Sequence, residues 1–280
     1  MSFTVISAVN DEDVLNRCLL RSPDIGLVAG LILQRGYADA AEAYNGAMAN
    51  VKNGVIVLIH QDVYLPAGWF QQVEAAINRL ALTDPHWGVL GVYGVTVAGE
   101  PRGHLYCNAS QWSLGRPIQE PVEVGTLDEV VLIVRKDSGL QFDDGLKGFH
   151  LYGADICLAA RERDLKIYVV PGFCIHNANG YGMFPRAFWR GYLYMRRKWK
   201  SRLPVKTPCI EIARSLWPVL RSALWRFCWL KAKRVELARR VDDPAKLYAH
   251  LKDGNLKSDA ASSLQRCPPN RGNARETIAR

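Results

Sequence analysis

No C-x-x-C pair occurs, and the seven cysteines (Cys18, Cys107, Cys157, Cys174, Cys209, Cys228 and Cys267) are odd in number and scattered. This argues against a disulfide framework or a cysteine-rich zinc cluster, and it fits a reducing compartment. No run of about 18 uncharged apolar residues is present, so no transmembrane helix is expected. Met1–Asn10 lacks a basic n-region and reads as a buried strand rather than a signal peptide. A cytoplasmic location follows as the expectation. Also missing are a G-x-x-x-x-G-K-[ST] phosphate loop, a G-x-S-x-G elbow and an H-E-x-x-H pair. No G-x-G-x-x-G turn follows the first strand, which argues against a dinucleotide-dependent oxidoreductase. No internal repeat is visible.

The 280 residues, 49% of them hydrophobic, suffice for one large α/β domain and an appendage. The net charge of +9 is unevenly spread. Residues 1–185 hold 13 Lys/Arg and 20 Asp/Glu, a balance of −7, whereas residues 186–280 hold 23 and 7, a balance of +16. An acidic body suits a cation-dependent site. A basic tail suits phospholipid headgroups, phosphorylated acceptors or nucleic acid, and equally a plain solvated surface.

Hydrophobic runs order the chain. Phe3–Val9 is β-rich, and Asn10 or Asp11 can cap a helix behind it. Ile25–Leu33 is a second apolar run, Ala38–Val51 an alanine-rich helix, and Val55–His60 a continuous apolar strand of the kind covered on both faces. Ala67–Leu82 reads as a helix and Trp87–Val97 as a strand. This β-α-β alternation predicts a mostly parallel sheet flanked by helices. Pro101–Pro121 fits a hairpin or loop, Leu127–Val134 a strand, Asp143–Gly148 a loop, Ala154–Arg163 a helix and Lys166–Val170 a last short strand. The expected division is a body over 1–185, a basic aromatic helical extension over 186–254 and a polar tail over 255–280. Within the extension, Ile210–Arg240 reads as a helix interrupted near Pro218.

The most informative segment is VIVLIHQDVYL, Val55–Leu65. Ligands of open α/β sheets bind outside the carboxyl ends of strands. His60 and Asp62, two apart, project to the same side of an extended chain. An imidazole and a carboxylate there suit Mn²⁺ or Mg²⁺; a polar turn without a ligand fits the tripeptide as well.

The surrounding run Ala43–Asp62, AYNGAMANVKNGVIVLIHQD, resembles the family-2-like glycosyltransferases of GT-A fold. Asn45 and Gly46 stand in its Asn-x-Gly part and His60-Gln61-Asp62 where an acidic D-x-D metal motif stands, with His departing at the first position. SAVND, Ser7–Asp11, resembles the end of the first strand that contacts the nucleotide. Leu127–Ala160, LDEVVLIVRKDSGLQFDDGLKGFHLYGADICLAA, is similar to the glycosyltransferase-like domain related to the streptomycin-biosynthesis protein StrF. The likeness covers about residues 3–200.

The resemblance implies a metal-dependent transfer of a sugar from a nucleotide-sugar to a glycan, lipid-linked or other hydroxyl acceptor, with inversion. The implied metal ligands are Asp62, His60 and His176. The implied donor contacts are Ala8, Val9, Asn10, Asp11, Asn45 and Gln61. Asp155 is the expected base, in an open cleft or else as a helix cap, with Asp128 and Glu129 as substitutes. As neighbours on a strand, these two point to opposite faces. His150, Tyr152 and Tyr181 are assigned to the acceptor side or to a lid with Gly180, Gly182 and Phe184. His176 also fits a structural role.

Two other classes stay open. A GT-A protein without turnover would bind nucleotide-sugars as a sensor, and the basic, aromatic tail could bind nucleic acid, a weaker reading. The tail is instead expected to touch an anionic membrane at the inner face of the cell membrane through residues 208–240. There Trp217, Trp225 and Trp229 mix with Arg221, Arg226, Lys231, Lys233 and Arg234. Packing on the body or on a second subunit is the alternative.

Overall fold

The computed structural model describes residues 1–179, 182–233 and 239–252. Tyr181, the side chains of Trp229, Lys231, Lys233 and Arg234, and the expected tail over 255–280 lie outside the described residues.

Among the described residues the strands are β1 (Phe3–Val9), β2 (Gly30–Arg35), β3 (Val55–Ile59), β4 (Val63–Tyr64), β5 (Val89–Gly91), β6 (Tyr93–Val95), β7 (Pro101–Cys107), β8 (Trp112–Gly115), β9 (Val122–Glu123), β10 (Thr126–Leu127), β11 (Val131–Arg135), β12 (Ile167–Val169), β13 (Ile175–His176), β14 (Val205–Lys206) and β15 (Glu211–Ile212). The α-helices are α1 (Glu12–Arg17), α2 (Ala40–Asn50), α3 (Trp69–Thr83), α4 (Tyr152–Arg161), α5 (Arg186–Lys198), α6 (Trp217–Lys233) and α7 (Pro244–His250).

The main sheet runs β2-β1-β3-β11-β5-β12-β9. β1 pairs in parallel with β2 and β3, and β5 with β12. β11 enters antiparallel between β3 and β5, and β9 lies antiparallel on β12. Five of the seven strands therefore share one direction, as the alternation predicts.

Why β3 lacks a polar residue is plain from its two faces. Val55, Val57 and Ile59 point into one apolar cluster with Leu15, Trp69, Val73 and Leu80, under α1 and α3. Ile56 and Leu58 point into the other, with Ala43, Ala47, Ile156 and Phe188, under α2, α4 and α5. Successive side chains alternate sides, so a strand covered on both faces must be apolar throughout.

A second sheet, β10-β6-β7-β13-β4 with β8 on β7, closes beside the first. The expected single strands Trp87–Val97 and Leu127–Val134 each break in two, because each passes from one sheet to the other. The crossing is tight: a Cβ on Gly94 would stand 2.5 Å from the Thr126 carbonyl oxygen. The Asp128 amide bonds the Tyr93 carbonyl at 2.9 Å across the same crossing. In the small sheet, β13 pairs antiparallel with β4 and in parallel with β7, setting His176 beside Val63 and Cys107.

The compositional break at 185 is not a break in packing. Phe188, Tyr192 and Met195 of α5, then Trp199, Leu203, Val205, Ile210, Ile212 and Val219, bury into the same cluster as Ile6 and Ile56. The stretch expected to be helical from Ile210 instead forms the β14–β15 hairpin first, and α6 starts at Trp217. At the end of the described chain, Leu251 packs with Tyr64 and Ile175, and Tyr248 lies against Tyr64 and Phe173.

Candidate active site

β3 ends at Ile59, and His60, Gln61 and Asp62 form the turn into β4. The His60 amide bonds the Val130 carbonyl at 3.1 Å and the Val63 amide bonds the His60 carbonyl at 3.2 Å, which fixes the turn. The register of β13 against β4 then brings in His176. Donor atoms of His60, Asp62 and His176 lie within 4.8 Å of one another. Asp62 Oδ1 is 3.4 Å from His176 Nε2 and 4.0 Å from His60 Nδ1.

The fourth neighbour comes from the C-terminal segment. Arg240 Nη2 donates to Asp62 Oδ2 at 3.2 Å, and Arg240 Nε to the Asn177 carbonyl at 3.1 Å. Asn177 clamps the next residue from both sides: its Oδ1 accepts from the Val241 amide at 2.9 Å and its Nδ2 donates to the Val241 carbonyl at 2.8 Å. Asn108 Nδ2 donates to the Arg239 carbonyl at 2.7 Å. Residues 239–241 thus cross the site as a strap. Nothing in the spacing of the sequence pairs position 240 with position 62; the contact needs the strap in place.

Charge follows from these neighbours. Burial raises the Asp62 carboxyl, but His176, His60 and Arg240 outweigh it and hold the group well below the usual carboxylate range. Burial works against a charged His176, yet Asp62 raises its imidazole well above the ordinary value. Burial lowers His60, which Asp62 only partly offsets. His60 Nε2 is 2.8 Å from the Tyr152 hydroxyl, which donates to the Glu129 carbonyl at 3.3 Å. Tyr152 thus engages Nε2, and Nδ1 is the ring nitrogen that faces Asp62. Two imidazoles and a carboxylate suit a divalent transition ion such as Mn²⁺ better than Mg²⁺, which prefers oxygen alone.

Several expected contacts have other partners. Gln61 is turned to the end of β1: its Oε1 accepts from the Asn10 and Asp11 amides at 2.9 and 3.1 Å, and its Nε2 donates to Asn10 Oδ1. It shapes the Ala8–Asp11 edge. Asp11 caps α1, accepting from the Val14 amide at 3.1 Å. Asn45, expected at the donor, pairs with the backbone of Phe142 through both ends of its amide, at 2.9 Å each. A carboxamide matches the donor and acceptor of one residue's backbone, so Asn45 ties α2 to the loop before α4.

Asp155 requires a correction. The open cleft expected for it is absent: the residue is 2% exposed, and its oxygens take Lys198 Nζ at 2.8 and 2.9 Å and Trp199 Nε1 at 2.7 Å. Nor is it the cap of α4, a place held by Leu151 with φ of 68°. Lys198 also meets Asp143 at 2.6 Å, so the group links α4, α5 and the 143–148 loop.

Beside the site, where the Asp128 charge reaches His60, the second carboxylate is Glu129. It stands, with Asp128, in the crossing between β10 and β11, not on a strand, so the alternation rule does not separate the pair. Asp128 Oδ1 closes a turn onto the Val130 amide at 3.0 Å. Glu129 Oε1 accepts from the Gly153 amide at 3.3 Å, at the first turn of α4. Burial, then the charge of Asp128, pushes its carboxyl up to about 8. Gly153 is needed here, since a Cβ would come within 2.8 Å of Glu129 Cγ. Tyr152 is buried among Tyr44, Phe142 and Phe149 and positions His60 from behind. His150 is half-buried against Phe188. None of these groups lines the separate surface cavity of about 340 Å³ bounded by Gln72, Arg79, His104, Ile118 and Phe173.

A parallel β2–β1–β3 half, a polar turn at the end of β3 and a small second sheet closing against it define a GT-A-type glycosyltransferase fold. The chain belongs to the Glycosyltransferase like family, whose profile matches residues 4–181. A Fuscovulum blasticum protein described as ATP synthase subunits region ORF 6 is 29% identical over 162 residues. That match takes in 55% of this chain and 62% of that protein, less than two thirds of its length. A structure of GalNAc-T7 with UDP, GalNAc and Mn²⁺ superposes with a TM-score of 0.48 and 11% identity, covering 73% of this chain and 52% of that one. S. aureus TarS 1-349 in complex with UDP-GlcNAc gives 0.43 and 15%, covering 73% and 67%.

Proposed function

We propose that the chain moves a sugar from a nucleotide-sugar to a hydroxyl acceptor and that His60, Asp62 and His176 hold a divalent cation, Mn²⁺ rather than Mg²⁺. The observation that carries this is the convergence of those three donor atoms within 4.8 Å at the carboxyl end of β3. When bound, such a cation supplies charge neutralisation for the donor's diphosphate. Membership of the family supports the reaction class.

The chain's own residues do the rest. The Ala8–Asp11 edge, braced by the Gln61 bonds to Asn10 and Asp11, receives the nucleoside. Glu129 takes the proton from the acceptor hydroxyl as the oxygen attacks the anomeric carbon and the bond to the diphosphate breaks. A single displacement of this kind inverts the anomeric centre. A glycan or lipid-linked acceptor fits this chemistry, with the work done at the cytoplasmic side of a membrane. The charge of Asp128 helps keep the Glu129 carboxyl raised, and His150 borders the acceptor side.

The test is titration of the chain with Mn²⁺ and a panel of nucleotide diphosphates by calorimetry, followed by transfer assays with the same donors. Asp62→Asn is expected to abolish cation binding and with it the cation-dependent gain in melting temperature on adding nucleotide. Unchanged Mn²⁺ affinity in that variant rejects the site. A second reading, nucleotide-sugar binding without turnover, is favoured by one observation: Arg240 already neutralises Asp62. Donor binding by the wild type with no transfer to any acceptor selects it.

A further inference from the structure

α6 is mounted with its apolar side facing out. Val219, fully buried, and Arg226, two turns on, mark the inner side of the helix. Arg226 Nη1 donates to the Gly182 carbonyl at 3.1 Å, and its guanidinium lies 4.3 Å from the Phe184 ring centre. Phe184 in turn stacks on Phe188 of α5 at 4.1 Å. The opposite side carries Trp217 and Leu224, again two turns apart, and Leu220 and Phe227, likewise. With 3.6 residues per turn these four form one stripe. They are 66, 59, 49 and 44% exposed in that order. A helix on a soluble body buries its apolar stripe, so an outward stripe marks a contact surface.

The charge around the stripe specifies the partner. Residues 186–233 hold thirteen Lys/Arg and a single acid, Glu211. Several of those cations are already paired within the chain: Lys198 with Asp143 and Asp155, Arg202 with Glu162 at the surface, and Lys206 with Glu211. Arg214 and Arg221 are exposed and form no ion pair among the described residues. Among the described residues no helix is long and apolar enough to cross a membrane. An apolar stripe with cations at its flanks, too short to span, is what lies in the plane of an anionic bilayer.

We propose that the Trp217–Leu220–Leu224–Phe227 stripe docks on a membrane rich in anionic phospholipid. The apolar side chains enter the boundary between headgroups and acyl chains, while Arg214 and Arg221 meet phosphate groups. Because Arg226 fastens the inner side of the same helix to Gly182 and Phe184, docking sets those two residues near the lipid surface. The inference goes beyond sugar transfer and stands whether or not the chain turns a donor over.

The experiment is sedimentation of the full chain with vesicles of phosphatidylcholine alone or with about one-third phosphatidylglycerol, at low salt and at about 0.5 M salt. The wild type is expected to bind the anionic vesicles only, with binding weakened about tenfold by salt. Leu220→Glu with Leu224→Glu is expected to weaken binding by about tenfold or more while leaving the melting temperature and nucleotide binding unchanged. Brominated lipid is expected to quench the wild type's tryptophan emission, and less so in Trp217→Phe. If the double Leu variant does not fold, Arg214→Glu with Arg221→Glu, both at exposed positions, carries the same expectation. The proposal is overturned if the wild type ignores anionic vesicles or the folded variants bind them as well as it does. It is overturned equally if the wild type self-associates, the Leu variant does not, and neither binds vesicles: the stripe then belongs to a second copy of the chain.

Discussion

Asp62 is the lone anion among His60, His176 and Arg240, and its replacement is felt twice. Asp62→Asn takes away the carboxylate that a divalent ion needs, and it leaves Arg240 and a charged His176 facing each other. Removing one partner of a buried ion pair costs about 3–5 kcal/mol, less where, as here, part of each group meets solvent. A lower melting temperature is therefore expected beside the loss of Mn²⁺ binding. Glu129→Gln behaves in the opposite sense. Its carboxyl is raised in the folded chain, so the unfolded chain releases that proton first as pH rises. Stability is lost between the ordinary carboxyl range and about 8. At about 1.4 kcal/mol per pH unit the upper bound near neutrality is about 3 kcal/mol, and the partial exposure of Glu129 brings the expected gain to about 1–2 kcal/mol. Glu129→Gln should thus melt higher than wild type at pH 7–8, match it near pH 4, and lose transfer by about 10²-fold or more. Melting curves across pH and initial rates check both; a variant that is stabilised yet fully active removes Glu129 from the reaction. His60 and Asp62 were legible because a wholly apolar strand stops at a polar tripeptide. Glu129 was legible only as a substitute, because the aim of a carboxyl on a crossing segment depends on Gly153, 24 residues away.

At the scale of elements, α4 and α5 are joined by charge as well as by apolar packing. Asp155 receives Lys198 and Trp199 together, and Lys198 reaches on to Asp143, which also accepts from the Tyr194 hydroxyl and the Gly145 amide, each at 2.8 Å. Asp155→Asn keeps the shape and removes the charge. About 2–3 kcal/mol of destabilisation is expected, discounted for the partly exposed Lys198. Donor and cation binding should survive unchanged, because none of the three clustered ligands touches this network. Urea unfolding and calorimetry separate the outcomes: a stable variant that no longer transfers would return Asp155 to the reaction. α2, α3 and α4, with β1 and β3 of the large sheet, follow from hydrophobic period. The strand breaks at Val92 and at 128–130 do not, because an apolar run carries no mark of the point where it leaves one sheet for another. Only Gly91 and Gly94 hint at it, and they do so through a close approach that has to be seen.

Across the whole molecule, the chain returns to its own site. Arg17 meets Asp242 at 3.0 Å and Arg21 meets Asp243 at 3.6 Å, so the strap is fastened beside α1 as well as by Asn108 and Asn177. Composition alone made this region part of a basic appendage. Its apolar anchors, Tyr248 and Leu251, are too few to announce that it packs on β4 and β13. The consequence is electrostatic. A guanidinium 3.2 Å from Asp62 Oδ2 competes with any cation for that oxygen and repels it through space. Binding a divalent ion therefore requires Arg240 to yield the carboxylate, at the cost of that hydrogen bond. Arg240→Ala removes the competitor, and Mn²⁺ affinity is expected to rise about tenfold, close to 1.4 kcal/mol. Arg240→Lys, with a compact ammonium on a shorter side chain in place of the planar guanidinium, should fall between the two. The strap stays closed in both variants, since Asn177 grips Val241 through the backbone, so a fall in melting temperature of only a few degrees is expected. Calorimetric titration with Mn²⁺ in the absence of nucleotide reads the effect directly. If Arg240→Ala binds the ion no better than wild type, the guanidinium is not what opposes it, and the cation enters Asp62 from the side that His60 and His176 share.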